Sequence, residues 1–357
     1  MKSRKGMLGF MVLTLFVFCA FVFNAASVAA EQESITWKVQ TPWPPSIWQH
    51  KSAEIWAEDV EKLSGGKLKI KLFSSGELVP AFEIYDSVRT GTLDAGHGWS
   101  GYNIGKFPAA TFFAATPAFI DFKGYMTWVY AGGGKELWQE MYGDKVKVLP
   151  AGMLYAEGGG WANNKITSLE DYKGLKYRTV LIWGEILRDV GASVVTLPAA
   201  DIVPSLQRGT LDAAEFSTPV TDLPLGFQDV ADYWHGPGLH QISGFLELLI
   251  NPKSWEALPE DCKVAVEYAS WSAVPRQLCP WLIADAKAIQ EMQKSDTEFV
   301  HFPKEMQQEV LDRFAEKYEN YDDEMFQKCW TSMKDFMSYY GPYNELQSVQ
   351  AYVKIWE

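Results

Sequence analysis

The side chains able to do chemistry are spread thinly along the 357 residues, and their spacing first excludes several reactions. The five histidines are His50, His97, His235, His240 and His301; they form no His-Glu-x-x-His pair, and no Gly-x-Ser-x-Gly elbow is present. Gly132-Gly133-Gly134-Lys135-Glu136 lacks the Gly-x-x-x-x-Gly-Lys-Ser/Thr spacing of a phosphate loop. Beyond the N-terminal segment the cysteines are Cys262, Cys279 and Cys329, scattered at distances that match no zinc pattern. What remains is carboxylate chemistry. Glu157 and Glu215 are a candidate pair, and a glycosidase would use such a pair as proton donor and as base or nucleophile.

The composition narrows the partners. With 45 acidic against 32 basic residues the formal net charge is −13, which makes nucleic acid and anionic membrane surfaces poor partners. The chain is 22% charged and 47% hydrophobic, a globular composition, and its length fits two domains of ordinary size. Lys2, Arg4 and Lys5 precede an apolar run from Met7 to Phe23, and Ser27-Val28-Ala29-Ala30 fits a signal-peptidase site. Residues 1–30 are therefore read as a cleaved secretory signal; their removal takes the net charge to −16. Export permits disulfides. A helical reading of Asp261 to Lys294, bent or broken at Pro275 and Pro280, keeps Cys262 and Cys279 about 25 Å apart and leaves any pairing with Cys329 open.

The elements that must position the chemistry read as α/β. Ile35 to Gln40 and Lys67 to Phe73 alternate as strands, while Ser52 to Leu63 and Pro80 to Arg89 read as helices. After residue 255 the chain turns mostly helical, with Leu258–Lys294, Lys304–Tyr318 and Asp322–Tyr339 as candidates. An internal echo organises the whole: Gly91-Thr92-Leu93-Asp94-Ala95 returns 118 residues later as Gly209-Thr210-Leu211-Asp212-Ala213, each after a helix-like stretch. A period that long suits two similar lobes rather than a solenoid. Two α/β lobes in an exported chain point to a hinged receptor closing on a small ligand. Segments just past each echo then sit at the carboxyl ends of strands, where open α/β sheets bind ligands. They are Gly98-Trp99-Ser100-Gly101-Tyr102 and Glu215-Phe216-Ser217.

At this point the sequence resembles the DctP-like solute receptors of tripartite ATP-independent periplasmic (TRAP) transporters. The likeness runs from about residue 35 to 345, through Thr41-Pro42-Trp43-Pro44, the first echo, Tyr102-Asn103-Ile104-Gly105-Lys106, Tyr130-Ala131-Gly132-Gly133-Gly134, Gly159-Gly160-Trp161 and Lys173-Gly174-Leu175-Lys176-Tyr177-Arg178, to Glu215-Phe216. The Tyr-x-Gly-Gly-Gly and Gly-Gly-Trp segments are most similar to the branch that binds 2-oxo acids with a metal ion. The resemblance implies a two-lobed, Venus-flytrap α/β fold with a long lobe-crossing helix and C-terminal helices. The expected division is lobe I at 31–154, with part of 246–290 returning to it, lobe II at 155–245, and the crossing and C-terminal helices at 258–357.

The same resemblance implies the site. Arg178 pairs with the ligand carboxylate, a role a planar guanidinium fork fits by gripping two oxygens at once. Tyr102, Trp99, Trp43, Glu157 and Phe216 also contact the ligand. Glu215, Glu157, Gln241 and the Phe216 carbonyl hold a cation, calcium or sodium, oxygen donors suiting hard ions. The branch tends to carry Gln at position 157, an acid at 241 and Trp at 216, so carboxylate and amide are exchanged here and the pocket wall is smaller. The implied function is a non-catalytic receptor that captures a small 2-oxo or 2-hydroxy monocarboxylate in the periplasm and delivers it to membrane permease subunits, with homodimerisation possible. On that reading Arg178→Ala abolishes carboxylate binding in a protein that still folds. A periplasmic carbohydrate receptor and a secreted glycosidase-type hydrolase are the alternatives.

Overall fold

Two sheets organise the chain. The computed structural model describes residues 34–347; the expected signal peptide and the end of the last helical region lie outside the described residues. The first sheet has the order β2-β1-β3-β10-β4, built from β1 (Ile35–Gln40), β2 (Leu68–Phe73), β3 (Ala95–Gly98), β4 (Lys147–Tyr155) and β10 (Ser243–Ile250). The second has the order β11-β9-β5-β8-β6-β7, from β5 (Gly160–Ala162), β6 (Lys176–Arg178), β7 (Ser193–Val195), β8 (Ala213–Ala214), β9 (Tyr233–Gly236) and β11 (Glu298–His301). β1 runs parallel to β3, and β6 runs parallel to β8. β10 is antiparallel to both of its neighbours and is buried along its whole length.

The echo in the sequence is an echo in space. Helix Ile84–Thr90 ends at Gly91, whose φ of 83° lies in the left-handed region that a glycine enters without strain. Thr92 and Leu93 then donate their backbone N–H groups to the Ser87 carbonyl, and the buried Leu93 leads into β3. In the second half, helix Ala199–Gln207 is followed by Gly209 at φ 67°, Thr210 and Leu211 donate to the Ser205 carbonyl, and the buried Leu211 leads into β8. The aspartates repeat too. Asp94 accepts from the Lys38 amide at 2.8 Å and returns its own N–H to the Lys38 carbonyl at 3.0 Å. Asp212 does the same with Lys176, at 2.8 and 2.9 Å. Each aspartate thus locks its turn to the neighbouring parallel strand.

The chain passes between the sheets at three places: the short segment from β4 to β5, the segment from β9 to β10, and the helix that leads to β11. The two short passages are hydrogen-bonded to each other, Glu157 N–H to the Gln241 carbonyl at 3.1 Å and Gly238 N–H to the Glu157 carbonyl at 3.0 Å. The second includes the cis Gly236-Pro237 bond.

Helix Glu260–Met292 is the third passage, and it runs unbroken through Pro275 and Pro280, where the sequence predicts a bend or break. Each proline removes one N–H, orphaning the carbonyls of Trp271 and Arg276, both on the exposed side of the helix. The buried side is anchored from its middle onward. Gln277 accepts from the Met153 amide of β4 at 2.9 Å and donates to its carbonyl at 3.1 Å. One turn on, Trp281 Nε1 donates to Thr218 at 2.8 Å, and Asp285 accepts from the Val220 amide at 2.9 Å. The helix therefore crosses from one half to the other. Of the C-terminal helices, Lys304–Glu319 packs on Leu181–Asp189 and Glu324–Gln347 packs on Phe122–Ala131 and Gly134–Tyr142. Cys262, Cys279 and Cys329 are all free thiols, the first two on the same unbroken helix.

Candidate ligand and cation site

One small cavity collects residues from the two short passages and from the carboxyl ends of both parallel strand pairs. It is lined by Trp43, Gln49, Trp99, Tyr102, Leu154, Glu157, Arg178, Val180, Glu215, Phe216 and Gln241. Trp43 follows β1, Trp99 and Tyr102 follow β3, Arg178 closes β6, and Glu215 and Phe216 follow β8. Glu157 and Gln241 lie on the two short passages. All eight residues singled out from the sequence are thus brought together. A roomier groove on the outer face, beside Lys147, Tyr268 and Trp271, has no such convergence of buried polar groups.

The register of β6 on β8 makes the central contact. Glu215 N–H donates to the Arg178 carbonyl at 3.1 Å, which sets the two side chains alongside each other. Arg178 is only 1% exposed. Its Nη1 donates to the Glu215 carbonyl at 2.6 Å and to Oε1 at 3.1 Å, while Nε and Nη2 share the Leu197 carbonyl at 3.2 and 3.1 Å. The Phe216 ring covers the guanidinium at 5.4 Å. Of five guanidinium hydrogens these contacts leave a single Nη2 hydrogen for anything else. The two-point grip expected of this arginine therefore requires Glu215 to give up its share.

Glu157 and Glu215 face a residue that the sequence reading passed over. His240 Nε2 lies 3.7 Å from Glu157 Oε2 and 3.7 Å from Glu215 Oε2. All three side chains are buried, and one donor atom from each falls within 4.8 Å of the others. Burial pushes the Glu157 carboxyl up, and the charge of Glu215 adds to that push; His240 and Arg178 oppose it. Burial acts in the same direction on Glu215, but Arg178 and His240 overcome it and hold that carboxyl below its ordinary range. For His240 burial disfavours the charged form, and the two carboxylates outweigh it, raising the imidazole above its usual value. Behind them the fully buried Asp222 accepts from Trp161 Nε1 at 2.8 Å, and burial pushes its carboxyl well above the ordinary range.

The aromatic wall is partly committed. Trp99 Nε1 donates to the Ala114 carbonyl at 2.8 Å, so this indole offers the cavity only its ring. Tyr102 Oη accepts from Trp43 Nε1 at 3.3 Å, and burial raises the phenol, which keeps its proton to donate. Gln49 is the other residue missed. Its side chain donates to Ser217 Oγ at 3.0 Å and accepts from Thr221 Oγ1 at 3.3 Å, joining the helix after β1 to the segment after β8. No motif marks Gln49. His240 had one available signal, its place next to Gln241 on a passage between the sheets.

The donor set fits a cation. Two carboxylates converge, and the side-chain nitrogens of Gln241 and His240 are buried without a hydrogen-bond partner, so both side chains have unspent capacity at the cavity. Turning the Gln241 amide presents its oxygen instead of its nitrogen.

Comparison with known proteins gives a consistent picture. The family described as bacterial extracellular solute-binding protein, family 7, matches residues 39–324. A monocarboxylate 2-oxoacid-binding periplasmic protein of Nostoc sp. (strain PCC 7120) is 31% identical over 331 residues, 91% of this chain and 90% of that protein. A TRAP transporter solute-binding protein from Bordetella bronchiseptica RB50, with calcium and picolinate in its active site, superposes with a TM-score of 0.84 at 29% identity, covering 88% of this chain and 95% of that one. A TRAP periplasmic solute-binding protein from Pseudoalteromonas atlantica T6c, with sodium and pyruvate, gives a TM-score of 0.80 at 27% identity, covering 88% and 97%.

Proposed function

The chain belongs to bacterial extracellular solute-binding protein family 7, and from that premise we propose that it is the periplasmic receptor of a TRAP transporter, exported by a cleaved signal peptide and capturing a small 2-oxo or 2-hydroxy monocarboxylate of the pyruvate or lactate kind. The carrying observation is the convergence of the buried Arg178, Glu157, Glu215 and Gln241, with the half-buried Tyr102, on one small cavity at the joint between the two sheets. The relatives that bind 2-oxo acids, or hold pyruvate or picolinate, support that ligand class.

Each residue then has a task. The free Nη2 hydrogen of Arg178 and the Tyr102 hydroxyl donate to the ligand carboxylate, and Arg178 gains a second donor toward it when Glu215 turns to the cation. Glu157, Glu215, Gln241 and the Phe216 carbonyl hold the cation, calcium or sodium as in the solved relatives. A cation there chelates the ligand's carboxylate and 2-oxygen together. Trp43, Trp99 and Phe216 set the width of the slot. The solute-binding family and its 2-oxoacid-binding relative favour capture of a ligand over a hydrolytic step. The relatives that bind 2-oxo acids, or hold pyruvate or picolinate, disfavour the carbohydrate reading. The ligand acts by favouring the closed over the open form, and the closed form is what the membrane permease receives. The division we propose gives the first lobe 34–154 with β10 (Ser243–Ile250) and the second 155–242 with β11 (Glu298–His301), moving the expected boundary at 245 to the start of β10.

Calorimetric titration tests this. Protein freed of ligand by unfolding and refolding, and of metal by chelation, is titrated with pyruvate, 2-oxobutyrate, lactate and a dicarboxylate, each with calcium, with sodium and with neither. Tight binding of a monocarboxylate only when a cation is present is the expected result. Binding without any cation removes the metal from the reading, and no binding of any of these acids overturns it.

A further inference from the structure

Resting on that reading, we infer that Leu181 is a positioning residue for ligand capture: its side chain joins the apolar packing that holds the two halves together around the ligand, at the cost of a strained backbone. Among the described residues every positive φ belongs to a glycine except one, that of Leu181 at 61°. A Cβ disfavours this left-handed region, and the two echoed turns accordingly place Gly91 and Gly209 there. A leucine in that conformation is an outlier, and such outliers collect at ligand clamps and switch regions.

The surroundings fix the backbone and account for the side chain. Arg178 closes β6, and the next residue, Thr179, donates its N–H to the Val195 carbonyl of β7 at 3.2 Å. Val180, which lines the ligand cavity, follows in extended conformation. Helix Leu181–Asp189 then starts at once, its Gly184 N–H reaching the Val180 carbonyl at 3.4 Å. Strand and helix are thus joined with no loop between them, and the left-handed step makes the corner. Glycine would make that corner with less strain; what it lacks is the side chain. Leu181 is partly buried against an apolar cluster that takes Trp43, Trp99 and Leu154 from the first half and Val180 and Phe216 from the second. Those five residues are also walls of the ligand cavity, whereas Leu181 is not, so it acts through them. Parting the halves divides the cluster, and the apolar cover it gives is complete only in the closed form.

The test uses the full mature chain, with calcium and again with sodium present. Pyruvate affinity is read by calorimetry and stability by urea unfolding in the wild-type protein, Leu181→Gly, Leu181→Ala and Leu181→Met. Loss of the side chain is expected to weaken pyruvate binding about five- to tenfold in the glycine and alanine proteins, mostly through faster dissociation. Leu181→Met, which keeps the apolar volume, should stay within about twofold of wild type. A residue that only supported the fold would lower the urea midpoint and leave affinity alone. The midpoint separately reads the strain: Leu181→Gly should unfold above Leu181→Ala, the reverse of their order at an ordinary helical position. Should the glycine protein fail to fold, the alanine and methionine proteins carry the affinity comparison. Undiminished affinity in Leu181→Ala, a loss in Leu181→Met as large as that in Leu181→Ala, or a glycine midpoint below the alanine one overturns the inference and leaves the receptor reading standing. Absence of pyruvate binding by the wild-type protein under either cation brings down the receptor reading itself, and the inference with it.

Discussion

At the scale of single residues, the central fact is that Arg178 is a buried structural cation before it is a ligand contact. It neutralises Glu215 at 3.1 Å and caps the Leu197 carbonyl, all at 1% exposure. The expectation that Arg178→Ala still folds normally changes on this ground, because the substitution strands a buried carboxylate. It is expected to cost about 3–5 kcal/mol of stability, and Arg178→Met combined with Glu215→Gln should cost less than the two single changes summed, by roughly 1–3 kcal/mol. Urea unfolding of the four proteins measures this, and strict additivity would refute it. The motif around Lys173 to Arg178 was legible in the sequence. The competing claims on the guanidinium were not, because they depend on the register that lays Glu215 beside it and on a carbonyl 19 residues away. His240 escaped for a similar reason: Glu157 lies 83 positions earlier in the chain, and only the pairing of the two passages brings them together.

At the scale of elements, the turn that repeats was readable because it is local. Glycine, the left-handed cap, the buried leucine and the aspartate clamp all lie within a few residues, and the same five letters fold the same way twice. The continuity of the helix through Pro275 and Pro280 was not readable, because what anchors it is tertiary: Gln277 on β4 and Trp281 on Thr218. Strand β9 carries a pH dependence of its own. His235 Nε2 accepts from the Ile166 amide at 3.0 Å and Nδ1 donates to the Gly160 carbonyl at 3.2 Å, so the ring is neutral, and burial lowers it to about 4. The unfolded chain therefore binds the proton more readily between about 4 and 6.5. The stabilisation is complete above 6.5 and is lost as pH falls through that window, by at most about 3 kcal/mol. His97, also lowered to about 4 by burial, adds a second contribution of the same sign. In His235→Gln, whose amide can make both hydrogen bonds without titrating, the urea midpoint should fall less steeply between pH 6.5 and 4.5; an unchanged slope would refute the assignment.

At the scale of the whole molecule, Gln49 is the contact that turns two halves into one closed body. Its two hydrogen bonds reach across to Ser217 and Thr221 while its side chain also walls the ligand cavity. Beside it Trp48 stacks on Trp281 of the crossing helix at 6.2 Å. Gln49→Leu keeps the volume and removes both bonds, which should weaken closure by about 1–2 kcal/mol, or five- to thirtyfold in pyruvate affinity, mostly through faster dissociation. Stopped-flow displacement measures the rate, and an unchanged dissociation rate would show that closure does not depend on this residue. The two-lobed plan itself was visible in the echo, whereas the way the chain is threaded through it was not. That threading has a temporal consequence. β10 lies between β3 and β4, so the first sheet lacks a central strand until residues 243–250 are present, by which point every strand of the second sheet except β11 has been made. A chain emerging N-terminus first therefore cannot complete either half early: the first waits for Ile250, the second for His301, and long-range pairings of that kind form slowly. Both sheets therefore stay incomplete through most of synthesis, and the final pairing of each half is deferred to the last third of the chain.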